Sequence, residues 1–261
     1  MGHMKLTILG CGTSTGVPLI HCKCRVCRSR NPKNKRLRCS AWIQTPTKSI
    51  LIDTSPDFRQ QAMRAKISRI DAVLYTHPHA DHCHGIDELR SYNFVQKSRI
   101  PIFGNEWLCT ELKSKFEYIF KQRPTYEGGG IPLLDLHLLD SQAPTIDVVD
   151  EKVIPISLRH GSKESIGYRF GSLAYVTDCS LIPQSSLDRL KGLSVLILDC
   201  LRLEPHATHF NLDQALQTAE ILKPKKTFLT HLGHDFNYDA KTIKALPKGV
   251  FFAYDGLSVR F

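Results

Sequence analysis

Residues 75–85 read YTHPHADHCHG and follow an apolar run that is typical of a buried β-strand. The candidate metal ligands that this stretch supplies are His77, His79, Asp81 and His82. Two histidines at i and i+2 point the same way where the backbone is extended, and the Asp and His that follow turn to the far side. The H-x-H-x-D-H spacing is too regular to suggest a His-rich loop that arose by accident. The stretch therefore predicts a loop that can serve two metal ions.

Ligand-type side chains also recur at the ends of other predicted strands. Five further β runs are IPIFGN (100–105), VIPISLRH (153–160), LAYVTD (173–178), VLILDC (195–200) and KKTFLTH (225–231). Four of the five carry a His or Asp at or next to their last position. Strands whose carboxyl ends meet at one edge of a sheet bring such side chains together, so we expect a site assembled from the whole chain.

Length and composition favour an ordinary globular protein. The chain has 261 residues, of which 42% are hydrophobic, and we expect one domain over residues 1–261. No apolar run is long enough to span a bilayer, and the first residues lack a signal-peptide pattern, so we expect a cytoplasmic protein without a membrane partner. Residues 1–3 have the character of a tag remnant.

The positive charge of the chain is concentrated in one segment. The net charge is +10, and residues 21–39 hold eight Lys and Arg residues and no Asp or Glu. Such a balance favours a phosphate-bearing partner. A solvated basic loop and a groove that steers a phosphate ester are both compatible with this segment.

Three of the nine cysteines lie in HCKCRVC at 21–27. They are Cys22, Cys24 and Cys27. In a chain without a secretion signal, clustered cysteines favour a metal over disulfides. A tetrahedral zinc site needs one more ligand than this cluster offers, and a reactive thiol cluster is the alternative interpretation.

The H-x-H-x-D-H string after a strand resembles the signature of the metallo-β-lactamase fold. The resemblance implies an α/β protein, an αββα sandwich of two mixed β-sheets flanked by helices. The later ligands of that fold would be His160, Asp178 and His231, which occur here in the expected order. By the same resemblance, His77, His79 and His160 would hold one divalent ion, Asp81, His82 and His231 a second, and Asp178 would bridge both. The oxygen and nitrogen ligands suit Zn, Mn or Fe.

The Gly-rich turn GCGTSTGVP (10–18), followed by C-x-C-x-x-C, resembles the PhnP-like phosphodiesterases within this superfamily. In that family the three thiolates hold a structural zinc ion together with a His three residues after the last active-site His. The resemblance implies that His234 completes such a site with Cys22, Cys24 and Cys27. Residues 21–39 would then form a zinc-binding basic loop that supports the active centre.

The same resemblance suggests roles for residues beyond the ligands. A His at the place of His209 would protonate the leaving alcohol. The expected catalytic residues are therefore His209 and the metal ligand Asp81. Asp53 would orient a ligand histidine rather than bind metal. His206 and His84 have weaker claims, and the remaining histidines, His21 and His137, are expected at the surface or in the core.

The function expected from these features is hydrolysis of a small or cyclic phosphate diester by a hydroxide that two divalent cations share. An RNase Z-like RNA endonuclease is one alternative, although only residues 105–135 could form the arm that this family uses to grip RNA. A PqqB-like accessory protein without turnover is another, although all seven ligands are present.

A homodimer is also compatible with the sequence. Aromatic and Arg residues between 90 and 126 could line the substrate entrance or a dimer interface, or could pack in the core. They are Arg90, Tyr92, Phe94, Phe116, Tyr118, Phe120 and Tyr126. Residues 127–132, EGGGIP, are expected to form a loop or hairpin tip.

Overall fold

The computed structural model describes residues 4–121 and 130–261. The strands in these residues are β1 (Lys5–Gly10), β2 (Ser40–Gln44), β3 (Ser49–Ile52), β4 (Ala72–Leu74), β5 (Ile100–Gly104), β6 (Leu134–Leu138), β7 (Ile146–Val148), β8 (Glu151–His160), β9 (Lys163–Phe170), β10 (Leu173–Val176), β11 (Val195–Asp199), β12 (Lys226–Thr230), β13 (Val250–Phe252) and β14 (Ser258–Arg260). The helices are α1 (Phe58–Ala65), α2 (Ala80–Cys83), α3 (Leu89–Gln96), α4 (Glu106–Lys115), α5 (Glu117–Phe120), α6 (Gln184–Arg189), α7 (Leu212–Leu222) and α8 (Ala240–Lys244).

The strands form two sheets of seven strands each. The first has the order β14-β1-β2-β3-β4-β5-β6, and the second has the order β13-β12-β11-β10-β9-β8-β7. Strands β3 to β6 run parallel, as do β10 to β13, while the other neighbours are antiparallel. Both sheets are therefore mixed, which confirms the predicted fold class.

The two sheets pack face to face over one apolar cluster. Ile8, Ile43 and Ile52 from the first sheet meet Tyr168 and Ile197 from the second, and all five are fully buried. Side chains that alternate along each strand point to opposite faces, so the outer faces need a second cover. A helix layer supplies that cover on each side, which gives the four layers α, β, β and α.

Helices α1, α3 and α4 cover the first sheet, and α7 covers the second. Phe58, Leu89 and Leu108 pack in the first outer cluster, and Ala215 and Leu222 pack in the second. Helix α7 begins at a capping box, in which the Asn211 side chain accepts from the backbone N–H of Gln214 and the Gln214 side chain accepts in return. This cap fixes the start of α7 next to His209.

The five predicted β runs all occur in the structure, in β5, β8, β10, β11 and β12. The aromatic side chains predicted at an entrance, an interface or the core lie mainly at the core: Phe116 is buried there, and Tyr92, Tyr118 and Phe120 pack against it. Phe94 is exposed. Tyr126, the first half of the predicted EGGGIP loop (127–129) and residues 1–3 lie outside the described residues.

The described helices are all too short or too polar to cross a membrane.

Candidate metal centre

The seven side chains predicted for the dinuclear site lie at or after the carboxyl ends of strands. His77, His79, Asp81 and His82 lie after β4 and in α2, His160 ends β8, and Asp178 and His231 come directly after β10 and β12. The backbone turns sharply at these positions, because Asp178 has φ 57° and His231 has φ 59°. Non-glycine residues with such positive φ are uncommon and cluster at functional sites.

The side chains meet in two neighbouring groups. In the first, ligand atoms of His77, His79 and His160 all lie within 4.8 Å of one another. The second group consists of Asp81, His82, Asp178 and His231, with the same mutual limit.

Asp178 lies between the two groups. Its Oδ2 is 3.6 Å from His77 Nε2 in the first group and 3.5 Å from His231 Nε2 in the second. Its Oδ1 is 3.4 Å from His82 Nε2. The carboxylate is therefore placed where it could contact a cation in each group.

The donor set fits two divalent cations. The buried nitrogens His77 Nε2, His82 Nε2 and His231 Nε2 have no hydrogen-bond partner among the described residues. A buried polar atom without a partner is costly, so a native protein satisfies it. Two nitrogen or oxygen ligands 2.0–2.2 Å from one tetrahedral zinc ion lie about 3.4 Å apart, close to the separations observed here.

Further contacts fix the orientation of the ligand rings. The Nδ1 of His82 lies 2.7 Å from Asp53 Oδ2, and Asp53 also accepts hydrogen bonds from the backbone and the hydroxyl of Thr76. The Nδ1 of His160 donates to the carbonyl of Thr208 at 2.9 Å. Both contacts leave Nε2 free to face the centre, and Asp53 lies where the sequence predicted a residue that orients a ligand.

Burial and charge adjust the protonation of the cluster in opposite directions. Burial, followed by the charge of His82, lowers the pKa of His77 well below its usual value. Burial also disfavours the charged form of His82. The carboxylates of Asp178, Asp81 and Asp53 outweigh this effect and raise the pKa of His82. Burial disfavours the charged form of Asp178, yet His231 and His82 hold its pKa well below the usual range. The cluster therefore keeps its carboxylates ionised, and a cation can take the place of the His82 proton.

His209 lies over this cluster and is held by a carboxylate that sequence reasoning did not assign. Its ring stacks on His231, with ring centroids 4.6 Å apart. Its Nδ1 lies 3.3 Å from Asp199 Oδ2, and Asp199 also accepts from the backbone N–H groups of Asp178 and Phe210. Burial opposes the charge on His209, but Asp199 and Asp178 raise its pKa to about 9.

Asp199, His209, Asp178 and His231 could themselves hold a metal ion, since their ligand atoms lie within 4.8 Å of one another. The oxygens of Asp199 are already engaged by two backbone N–H groups and the His209 ring. Asp199 is therefore better suited to orient His209 than to bind a cation. The signal for it was present in the sequence, where VLILDC was one of the strands that end in Asp.

The cysteine cluster and His234 form a third group. The Nδ1 of His234 lies 3.3 Å from Cys22 Sγ, 3.7 Å from Cys24 Sγ and 3.5 Å from Cys27 Sγ. Ligands at the usual Zn–S and Zn–N distances around a tetrahedral zinc ion give S···N separations of about 3.5 Å. The backbone N–H of Cys27 helps to lower the pKa of Cys24 to about 7, which favours the thiolate.

The basic segment 21–39 uses several of its cations within the protein. The buried Arg36 donates to the carbonyls of Gly233 and Phe236, on either side of His234 and Asp235. Arg38 forms an ion pair with Asp57. No described residue of segment 21–39 lines the cavity at the metal cluster. Arg36 therefore anchors the loop that carries both His231 and His234.

A cavity of about 300 Å³ opens directly onto the cluster. The residues that line it are Ser14, His79, Asp81, Trp107, His160, Ser162, Lys163, Asp178, Thr208, His209 and His231. The weaker candidates His206 and His84 do not line it, although the His206 ring lies 5.3 Å from that of His209. His21 is exposed, and His137 in β6 stacks on Phe103 in β5. Trp107 and Lys163 carried no sequence signal.

Residues 48–232 match the model of the beta-lactamase superfamily domain. The chain belongs to the metallo-β-lactamase superfamily. The match contains the seven ligand-type residues of the cluster but not the cysteine loop. Members of this superfamily are metal-dependent hydrolases.

Solved structures of the superfamily include a diphosphatase from the PhnP family, which superposes on this chain with a TM-score of 0.91 at 44% sequence identity. The superposition covers 99% of this chain and 97% of that one. The predicted resemblance to PhnP-like proteins is therefore confirmed. Zn²⁺-bound PqqB from Methylobacterium extorquens shares the fold, with a TM-score of 0.77 at 18% identity and coverage of 98% and 99% of the two chains.

Among curated proteins, an octanoyltransferase from Porphyromonas gingivalis is 36% identical over 256 residues. The match covers 97% of this chain but 51% of that protein. The metallo-β-lactamase domain described here thus spans about half the length of this relative.

Proposed function

We propose that this protein is a metal-dependent phosphodiesterase that hydrolyses small or cyclic phosphate diesters at a dinuclear centre. The observation that carries the proposal is the cluster of seven His and Asp side chains, in which the Nε2 atoms of His77, His82 and His231 are buried without hydrogen-bond partners among the described residues, with His209 held above it. Divalent cations bound there would lower the pKa of water and neutralise charge on phosphoryl oxygens. A third ion, zinc, would be held by the cysteine cluster.

The chain's own residues would position the reacting groups. Asp81 and Asp178 supply fixed negative charge that holds the cations in place. His209 would donate the proton on Nε2 to the departing oxygen, while Asp199 holds the opposite ring nitrogen and keeps the imidazole oriented. The cavity of about 300 Å³ suits a small substrate.

Hydrolysis of a diphosphate bond is a second candidate, favoured by the similarity to a PhnP-family diphosphatase at 44% identity. A phosphoanhydride resembles a phosphate diester at the reacting phosphorus, so the same groups serve both reactions. An RNA endonuclease is less favoured. Of the region 105–135, where an arm was considered, the described residues form α4, α5 and the start of β6.

The PqqB-like alternative, a protein without turnover, is supported by similarity of fold alone. The PqqB structure shares 18% identity, which speaks for the architecture alone. All seven ligand-type residues are present and converge here, so turnover is the better proposal.

Hydrolysis assays of protein loaded with Mn²⁺ or Zn²⁺ test this function. We expect turnover of bis(p-nitrophenyl) phosphate and of 2′,3′-cyclic AMP, and a loss of at least about 10³-fold in kcat/KM for His77→Ala. His77→Ala removes a ring nitrogen that has no partner in the protein, and it leaves both sheets in place. The proposal would be refuted if fully metal-loaded protein turned over neither of the two diesters.

Replacing His209 tests its role as the proton donor. We expect His209→Gln to lower kcat/KM for 2′,3′-cyclic AMP by about 10²-fold or more, because an alkoxide is a poor leaving group that needs protonation. The loss for bis(p-nitrophenyl) phosphate should be below about tenfold, because p-nitrophenolate departs without a proton.

His84→Gln is the matched control, since His84 is exposed and lies outside the cavity. His84→Gln should leave kcat/KM for both substrates unchanged. Equal losses for the two substrates in His209→Gln would mean that this ring binds a cation or substrate instead of supplying a proton.

A further inference from the structure

One wall of the cavity is a tight turn between β8 and β9. His160 and Lys163 face each other across the two strands, so Gly161 and Ser162 alone make the turn. Gly161 has φ 62°, and a Cβ there would lie 2.9 Å from the side chain of Thr208. Only glycine fits this position without strain. The turn therefore carries a candidate metal ligand at one end and a lysine at the other.

Lys163 is the one Lys or Arg among the described residues that line the cavity. The residue is exposed, and no carboxylate of the described chain forms an ion pair with its ammonium group. Neither the metal cluster nor the proton donor uses this cation. An unpaired charge beside a small cavity is available to a negatively charged ligand.

The Lys163 Nζ lies 5.7 Å from the centroid of the Trp107 ring. The ring in turn meets His79 edge-on at 5.5 Å and lies 6.1 Å from the His77 ring. Trp107 is only half-buried and lies in the first turn of α4. A partly exposed indole at the edge of the first metal group offers a flat apolar surface.

We propose that Lys163 and Trp107 form a second substrate subsite beside the dinuclear centre. Lys163 would bind the phosphoryl group adjacent to the one that is cleaved, and Trp107 would contact a planar group such as a nucleobase. The substrate class is then a nucleoside diphosphate derivative, with two linked phosphoryl groups. This inference rests on the proposed function and selects within it.

The charge balance supports two phosphoryl groups. A simple diester carries one negative charge, which the cations at the centre can meet. A diphosphate adds a second negative charge at a neighbouring position, and a fixed ammonium group would favour its binding. An aromatic surface adjoining that ammonium group suits a base attached through the second phosphoryl group.

Fluorescence provides a direct binding test, because the chain has two tryptophans, Trp42 and Trp107. In a Trp42→Phe background Trp107 is the remaining indole. The metal-loaded protein is titrated with α,β-methylene ADP, in which the bridge between the phosphorus atoms resists hydrolysis, and with AMP. We expect both to change the Trp107 emission, and the diphosphonate to bind more tightly.

Lys163→Met should raise the Kd of α,β-methylene ADP by about tenfold and that of AMP by less than about threefold. Lys163→Arg should restore most of the lost affinity. Lys152→Met is the matched control, since Lys152 lies near the start of β8, the strand that pairs with β9, in an exposed ion pair with Asp147. It should change neither constant.

Equal effects of Lys163→Met on the two ligands, no effect on either, or no change of Trp107 emission on binding would overturn the subsite. The hydrolysis assay separates the two proposals. If the protein cleaves diesters but Lys163→Met changes the Kd values of α,β-methylene ADP and AMP equally, the phosphodiesterase proposal holds and the subsite proposal fails. If a fully metal-loaded protein shows the difference in Kd but no turnover, the subsite proposal holds and the phosphodiesterase proposal fails.

Discussion

Asp178→Asn should lower kcat/KM for bis(p-nitrophenyl) phosphate by about 10³-fold or more, and should release at least one equivalent of metal from the centre. The Asp178 carboxylate lies within 3.6 Å of ring nitrogens from both ligand groups. An amide of the same shape removes its negative charge and one ligand oxygen. Asparagine also tolerates the left-handed backbone at this position, so the fold should persist.

Asp188→Asn is the matched control for this prediction, because it makes the same chemical change at a residue of α6 that forms an exposed ion pair with Lys191 and lies outside the cavity lining. Metal content by atomic emission and kcat/KM should both remain at the wild-type level. Full metal content and activity in Asp178→Asn would show that this carboxylate does not bridge the two groups.

Cys27→Ser should remove one equivalent of zinc and lower the free energy of unfolding by about 4 kcal/mol or more, as measured by urea denaturation. Cys27 is buried, and its Sγ lies 3.5 Å from His234 Nδ1. A hydroxyl cannot replace a thiolate in this set. Activity should fall as well, since the segment from His231 to His234 carries ligands of both sites.

Cys109→Ser serves as the comparison, because Cys109 is buried in α4 and lies outside the metal-binding groups found among the described residues. It should cost less stability and leave the zinc content unchanged. If Cys27→Ser retained its zinc, or lost it without any change in stability, the cysteine cluster would have no structural role.

The strands and the ligand-type residues of the loop at 77–82 could be predicted from the sequence because their signals are local. A strand can be recognised from a few apolar residues, and H-x-H-x-D-H is read within a single loop. His160, Asp178 and His231 needed the resemblance to a family, because each stands alone after its strand. The structure then placed them beside the loop at 77–82.

Other residues of the site could not be found from local patterns. Asp199 was visible as one more strand-end Asp, but its contact with His209 depends on how β11 and the loop before α7 pack. Trp107 lies in α4 and Lys163 begins β9 of the second sheet, so the two side chains meet only in the folded structure. Arg36 looked like part of a basic surface, and only tertiary structure shows that it is buried against the loop after β12.

The division of the ligands between the two sheets has a consequence for folding kinetics. His77, His79, Asp81 and His82 follow a strand of the first sheet, whereas His160, Asp178 and His231 follow strands of the second. Neither set surrounds a cation before the sheets have docked, so metal can bind tightly only late in folding. Bound cations would then slow unfolding and leave the folding rate nearly unchanged. Lifetime of the native state, more than speed of reaching it, would depend on the metal supply.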